Sequence, residues 1–199
     1  MNIENPSANE SIESPIDFLD ENLEVEFAVD PEAAKHFPKI TQEDFKSRKE
    51  KFRILLGDFD ITEGGVSVNI RGVMEADDVE GYYQEGEDEV VGINIPRYRE
   101  DANSLRREYP EYRNFGLVGD LHTHPVHPNE VDHAPWEISL GDRAEMIRAY
   151  KDGSISSEQP HVFVVVGVDE KGKNKYSFNR LIRKGKDFAV ETSILELDE

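Results

Sequence analysis

The 199-residue chain contains no cysteine. That excludes disulfides, thiol nucleophiles and thiolate metal sites, and leaves histidine and carboxylate as the available metal ligands. Long hydrophobic runs are missing as well: no stretch approaches the roughly 18 consecutive apolar residues of a membrane span. The acidic, polar N-terminus lacks the basic and apolar regions of a signal peptide, so a cytoplasmic location without a membrane partner is expected. Positive charge is scarce. With 43 acidic against 23 basic residues and a formal net charge of -20, most of the surface repels phosphate backbones, and nucleic acid is not an expected partner.

The chain still holds enough apolar side chains, 37% of residues, to pack the core of one domain. Residues 1–24 carry many acids, Ser, Asn and Pro with few periodic apolar positions and read as a flexible or loosely docked segment. The domain is expected over 25–186, followed by an acidic tail over 187–199 with at most a short edge element. Thr41 and Asp44 have capping-box spacing, and Phe45 and Phe52 lie two turns apart, which predicts a short helix. Strands are expected over 52–57, 66–76, 89–95 and 114–124, and a hairpin from 161–168 and 176–182. A helix is expected from Pro96 to Tyr109, and another opens at Ser139 with Leu140, Ala144, Ile147 and Tyr150 on its apolar face. Strands and helices interleave, so the fold class is α/β (α+β), a mixed sheet flanked by helices.

Chemistry concentrates in GDLHTHPVHPNEVDHAPWEISLGD. On a strand, residues two apart point to the same side, so His122 and His124 project together while Thr123 faces away. Catalytic zinc typically takes three His or carboxylate ligands and keeps a fourth position for water. Asp142 is the chosen third ligand, because the first turn of the helix opened by Ser139 can lean over the strand end. Ser139 and Asp142 also satisfy a plain capping box, which needs no metal. The loop between offers competitors: Asp132 or His133 can replace Asp142, and His127 with His133 can hold a second zinc. The simplest reading is a solvated loop over Trp136.

His-x-His-Pro followed by Ser-x-x-Asp resembles the JAMM motif of the MPN+ (Mov34/PAD-type) zinc metalloproteases. The resemblance spans residues 41–182 and implies a single MPN-like domain with cytidine-deaminase-like layering. It implies zinc (Zn2+) on His122, His124 and Asp142, and Ser139 as a hydrogen-bond donor to a developing oxyanion. That family also carries an upstream glutamate in Glu-x-x-Gly-x-Leu-x-Gly. The run from Glu50 to Gly57 matches it except at Arg53, so Glu50 is the implied catalytic base, with Glu63 and Glu75 as alternatives. The loop at 125–138 is longer than the usual connection. The implied substrates are ubiquitin-like protein conjugates or peptides, cut at isopeptide or peptide bonds.

Two other readings compete. DLHTH also resembles the opening of metal-dependent (β/α) barrel hydrolases, but only 75 residues follow His124, too few for a barrel of about 250 residues. A non-catalytic or partner-activated MPN-type scaffold is the second. Oligomeric state is not legible in the sequence.

Overall fold

The computed structural model describes residues 16–75, 81–82 and 113–197. The strand expected over 89–95 and the helix over 96–109 lie outside them. Within them the protein is a mixed, strand-dominated α+β structure: β1 (Glu24–Val29), α1 (Pro31–Ala34), α2 (Gln42–Ser47), β2 (Lys49–Glu50), β3 (Phe52–Ile61), β4 (Gly65–Glu75), β5 (Gly81–Tyr82), β6 (Gly116–Thr123), α3 (Leu140–Lys151), β7 (Val162–Val168), β8 (Asn174–Lys184) and β9 (Asp187–Leu195). No helix among the described residues is long and apolar enough to cross a membrane.

Seven strands form one sheet in the order β1-β4-β3-β6-β7-β8-β9, and β2 and β5 make a separate two-stranded ribbon. The centre follows from composition. β7 is buried along its whole length, as its unbroken apolar run VFVVVGV requires of a strand covered on both faces. The sheet curls until Phe27 of β1 lies 5.7 Å from Phe178 of β8, ring to ring. Phe37, Leu55, Ile70, Leu121 and Val164 fill the core so enclosed.

β6 and β7 run parallel, and a parallel pair needs a crossover connection. The 125–138 loop and α3 provide it. The first turn of α3 therefore follows the C-terminal end of β6, where His122 and His124 lie.

Both termini of the domain extend past their expected limits. Residues 187–195, expected as tail, form a nine-residue strand that pairs with β8 from Tyr176↔Leu195 to Lys184↔Asp187. Its mixed polar and apolar sequence, DFAVETSIL, suits a strand with one solvated face. Upstream of β1, Phe18 and Leu19 are buried. Arg180 holds this segment by donating to the carbonyls of Phe18, Asp20 and Leu23.

α2 is shorter than its apolar spacing predicts. The Thr41/Asp44 capping box forms, but Arg48 adopts a left-handed conformation (φ 54°) that ends the helix. Phe52 instead opens β3. The apolar face of α3 is met in part: Ile147 and Tyr150 are half-buried against the core, but Leu140 is 86% exposed, and the fully buried positions are Met146 and Ala149. With Asp142 these two occupy positions i, i+4 and i+7, one helical stripe. The helix turns that stripe inward and so directs a carboxylate toward the sheet.

Candidate metal centre

β6 sets the positions of the two histidines. Phe52 of β3 pairs with His122, and their rings stack with centroids 5.6 Å apart. Beyond this pair, Thr123 N–H donates to the Lys51 carbonyl (3.1 Å) and Lys51 N–H donates to Thr123 Oγ1 (2.9 Å). Thr123 is thus pinned on one side of the strand, and His122 and His124 project from the other.

Asp142 arrives from the first turn of α3. Its Oδ1 lies 3.3 Å from His122 Nε2 and its Oδ2 lies 3.4 Å from His124 Nε2. The two Nε2 atoms are 3.0 Å apart. Ligands about 2.0–2.1 Å from a tetrahedral zinc are separated by about 3.3 Å, so the three donors have the spacing of a metal site. Among the described residues this is the one group of three His, Asp or Glu side chains so gathered. The side chains of His122, His124 and Asp142 are 7%, 12% and 21% exposed, which excludes most water.

The electrostatics of the cluster call for a cation. Burial alone lowers the His122 pKa, but the Asp142 carboxylate beside it, helped by Glu50 and Asp120, reverses this and pushes it from 6.5 up to about 9. Burial raises the Asp142 pKa, yet the two imidazoles hold that carboxyl far below the usual carboxylate range. A proton or a metal ion meets the demand for positive charge. The donor set also fits a metal through its tautomers. Pro135 offers only a carbonyl acceptor, so His124 Nδ1–H donates to it at 3.0 Å. In the neutral ring this leaves Nε2 with a free lone pair directed at the cluster.

Ser139 caps α3: its Oγ accepts from Asp142 N–H (3.1 Å), and its own N–H donates to Asp142 Oδ2 (2.9 Å). The capping box and the metal-ligand geometry therefore coexist on one carboxylate. Accepting that bond uses a lone pair of Ser139 Oγ and leaves its hydroxyl hydrogen available.

Glu50 lies in β2, two residues before Phe52, and acts electrostatically on His122. The β3–β6 ladder ends at Phe52↔His122, and Glu50, just beyond it, pairs with Gly81 of β5. The alternatives are placed elsewhere. Glu75 is paired with Arg53 at 2.8 Å, on the strand position that alternates away from Phe52. Glu63 lies in the turn beyond Ile61, about 30 Å along β3 at roughly 3.3 Å per residue.

The long loop is tied down at two places. His127 stacks on Phe45 with centroids 4.0 Å apart, and Glu130 pairs with Arg48 at 2.8 Å. Further on, Pro135 crosses directly over Gly167, where a Cβ would meet the Pro135 carbonyl carbon at 2.4 Å. Ser177 Oγ donates to the Trp136 carbonyl beside it. None of His127, Asp132 and His133 joins the cluster.

Two supporting residues escaped the sequence reading. Asp120 shares the histidine face of β6, and His161, from the start of β7, donates from Nε2 to Asp120 Oδ2 at 2.9 Å. Asp120 had a signal in the alternation Asp-x-His-x-His. His161 had none, because the pairing of β6 with β7 brings it in.

No protein-family profile matches the chain, and no curated protein matches it either.

Proposed function

We propose that this protein is a zinc-dependent hydrolase of the JAMM/MPN+ kind that cuts isopeptide or peptide bonds, with ubiquitin-like conjugates or peptides as substrates. The observation that carries the reading is the convergence of His122 Nε2 and His124 Nε2, 3.0 Å apart, on the Asp142 carboxylate, whose Oδ1 lies 3.3 Å from the first and whose Oδ2 lies 3.4 Å from the second, built from His-x-His-Pro and Ser-x-x-Asp. The parallel β6–β7 pair with α3 as its crossover is compatible with MPN-like, cytidine-deaminase-like layering.

His122, His124 and Asp142 would hold the zinc, which when bound supplies a Lewis acid and lowers the pKa of a water toward about 7. Glu50 is the base: its carboxylate takes the proton of the attacking water and returns it to the departing amine nitrogen. The Ser139 hydroxyl donates its hydrogen to the oxygen on which negative charge develops. The largely buried cluster strengthens both interactions by excluding solvent.

The test is zinc content and turnover together. Wild type should bind about one zinc per chain and cleave a lysine-linked ubiquitin-like conjugate in a chelator-sensitive way. Glu50→Gln should keep the zinc and lose roughly 100- to 10,000-fold in turnover, the range of general acid–base catalysis. Zinc-free wild type sinks the metal reading, and undiminished turnover in Glu50→Gln removes Glu50 as the base.

A further inference from the structure

Two buried side-chain polar atoms among the described residues lack a hydrogen-bond partner: Asp120 Oδ1 and His122 Nδ1. Such atoms are costly to leave unpaired, and each calls for an explanation. They belong to residues two apart on β6, on one face of the strand. Their Cα atoms are about 6.6 Å apart at roughly 3.3 Å per residue. The two atoms are not in direct contact, and one water between a carboxylate and an imidazole on the same strand face can span the gap. One atom is an acceptor. The other becomes a donor whenever His122 presents the lone pair of Nε2 to a metal, since a neutral imidazole then carries its proton on Nδ1.

We propose that Asp120, held from behind by His161, is the positioning carboxylate of His122: its free oxygen takes up the Nδ1 proton's hydrogen bond through one water, and so fixes the tautomer and ring plane that leave Nε2 open to metal. The inference rests on the metal reading of His122 given above. The parts divide cleanly. Asp120 Oδ2 is engaged by His161 at 2.9 Å, with both side chains 5% exposed, so the carboxylate cannot turn away to solvent. Oδ1 is left buried and without a partner. His124 is served separately by the Pro135 carbonyl. Each histidine of the pair then has its own acceptor behind it, one a backbone carbonyl from the loop and the other a carboxylate from the strand. Metal-ligating histidines generally need this support, and losing it typically weakens metal binding 10- to 100-fold.

The experiment compares wild type, Asp120→Asn and His161→Gln. Zinc affinity is measured by competition with a chromophoric chelator, and the protonated ring nitrogen of His122 is identified by long-range 1H–15N correlation with and without zinc. Asparagine keeps the shape but offers its amide N–H to one neighbour, which favours the wrong His122 tautomer. The zinc Kd of Asp120→Asn should rise 10- to 100-fold, and that of His161→Gln by a smaller factor. In wild type the His122 Nδ1 proton should be present and slow to exchange, and it should be altered in Asp120→Asn. An unchanged Kd with an unchanged Nδ1 signal in Asp120→Asn overturns the proposal and leaves the metal reading standing. Wild type that takes no zinc, yet shows an Nδ1 proton that depends on Asp120, overturns the metal reading and keeps the positioning role. Should Asp120→Asn fail to fold, the wild-type Nδ1 proton decides: fast exchange with bulk water overturns the proposal, and protection supports it.

Discussion

Two pairs of histidines lie within twelve residues of one another and meet opposite fates. His122 sits at the buried end of a central strand, fixed by register to β3 and β7, His124 follows that end with its N–H bonded to the Val166 carbonyl of β7, and their Nε2 atoms converge to 3.0 Å. His127 and His133 sit on the loop that follows, where one stacks on Phe45 and the other is exposed. Residue type is identical, so the difference lies in the backbone. A strand buried on both sides fixes where its side chains point and removes the water that would otherwise satisfy them. A loop supplies neither constraint.

The sharpest way to break this contrast is to remove one cluster member. His122→Ala or Asp142→Ala should weaken zinc binding on the order of 100- to 1,000-fold, if the ~10–16 kcal/mol of a four-ligand site divides among its ligands. Metal analysis after dialysis would show near-zero occupancy. Retained stoichiometry would mean that the loop histidines substitute.

The pH dependence of stability comes next. His122 is raised from 6.5 to about 9, so in metal-free protein its stabilisation is complete below pH 6.5 and disappears as pH rises to about 9. Asp142 is depressed, so its stabilisation is present above pH 3.8 and is lost as pH falls through its lower folded pKa. The metal-free melting temperature should therefore fall between pH 6.5 and 9, by an amount worth a few kcal/mol. Because zinc competes with the His122 proton, the increment zinc adds to that temperature should grow over the same interval. A flat metal-free profile would mean that the pair does not couple to folding.

Gly167→Ala tests the loop's grip on His124. The new Cβ meets Pro135 at 2.4 Å, so about 1–3 kcal/mol of stability should be lost to overpacking, with zinc affinity falling about tenfold as the Pro135 carbonyl shifts. Chemical denaturation and chelator competition read the two effects separately. The smallest effect belongs to His127→Ala, which should cost about 0.5–1.5 kcal/mol through the lost ring stacking and leave zinc stoichiometry unchanged. A drop in zinc content there would blur the distinction between the two pairs.

Much of this centre was legible in advance because it is local. His-x-His on an alternating strand and Ser-x-x-Asp at a helix start are short patterns whose geometry follows from strand and helix periods. The apolar face of α3 was read correctly at Ile147 and Tyr150 and missed at its first turn, for an instructive reason. Counting hydrophobic residues selects Leu140, Ala144, Ile147 and Tyr150, of which Ile147 and Tyr150 pack against the core, but Leu140 and Ala144 are exposed and the inward stripe runs through Asp142, Met146 and Ala149. A polar ligand on the inward face breaks the pattern that marks that face. Phe52 fitted the spacing of α2 equally well, and only the left-handed turn at Arg48 and the pairing with His122 assign it to β3.

By itself the sequence determined the donor types, the strand that carries two of them and the cap that orients the third, because each depends on residues within one element. Tertiary structure alone decided that Glu50 lies near enough to His122 to act on its charge while Glu75 pairs with Arg53, that 187–195 is an edge strand, and that His161 stands behind Asp120. These relations join residues as far as 72 positions apart in the Lys51–Thr123 bond and 41 in the His161–Asp120 pair. Strand order and register set them, and no local periodicity encodes either.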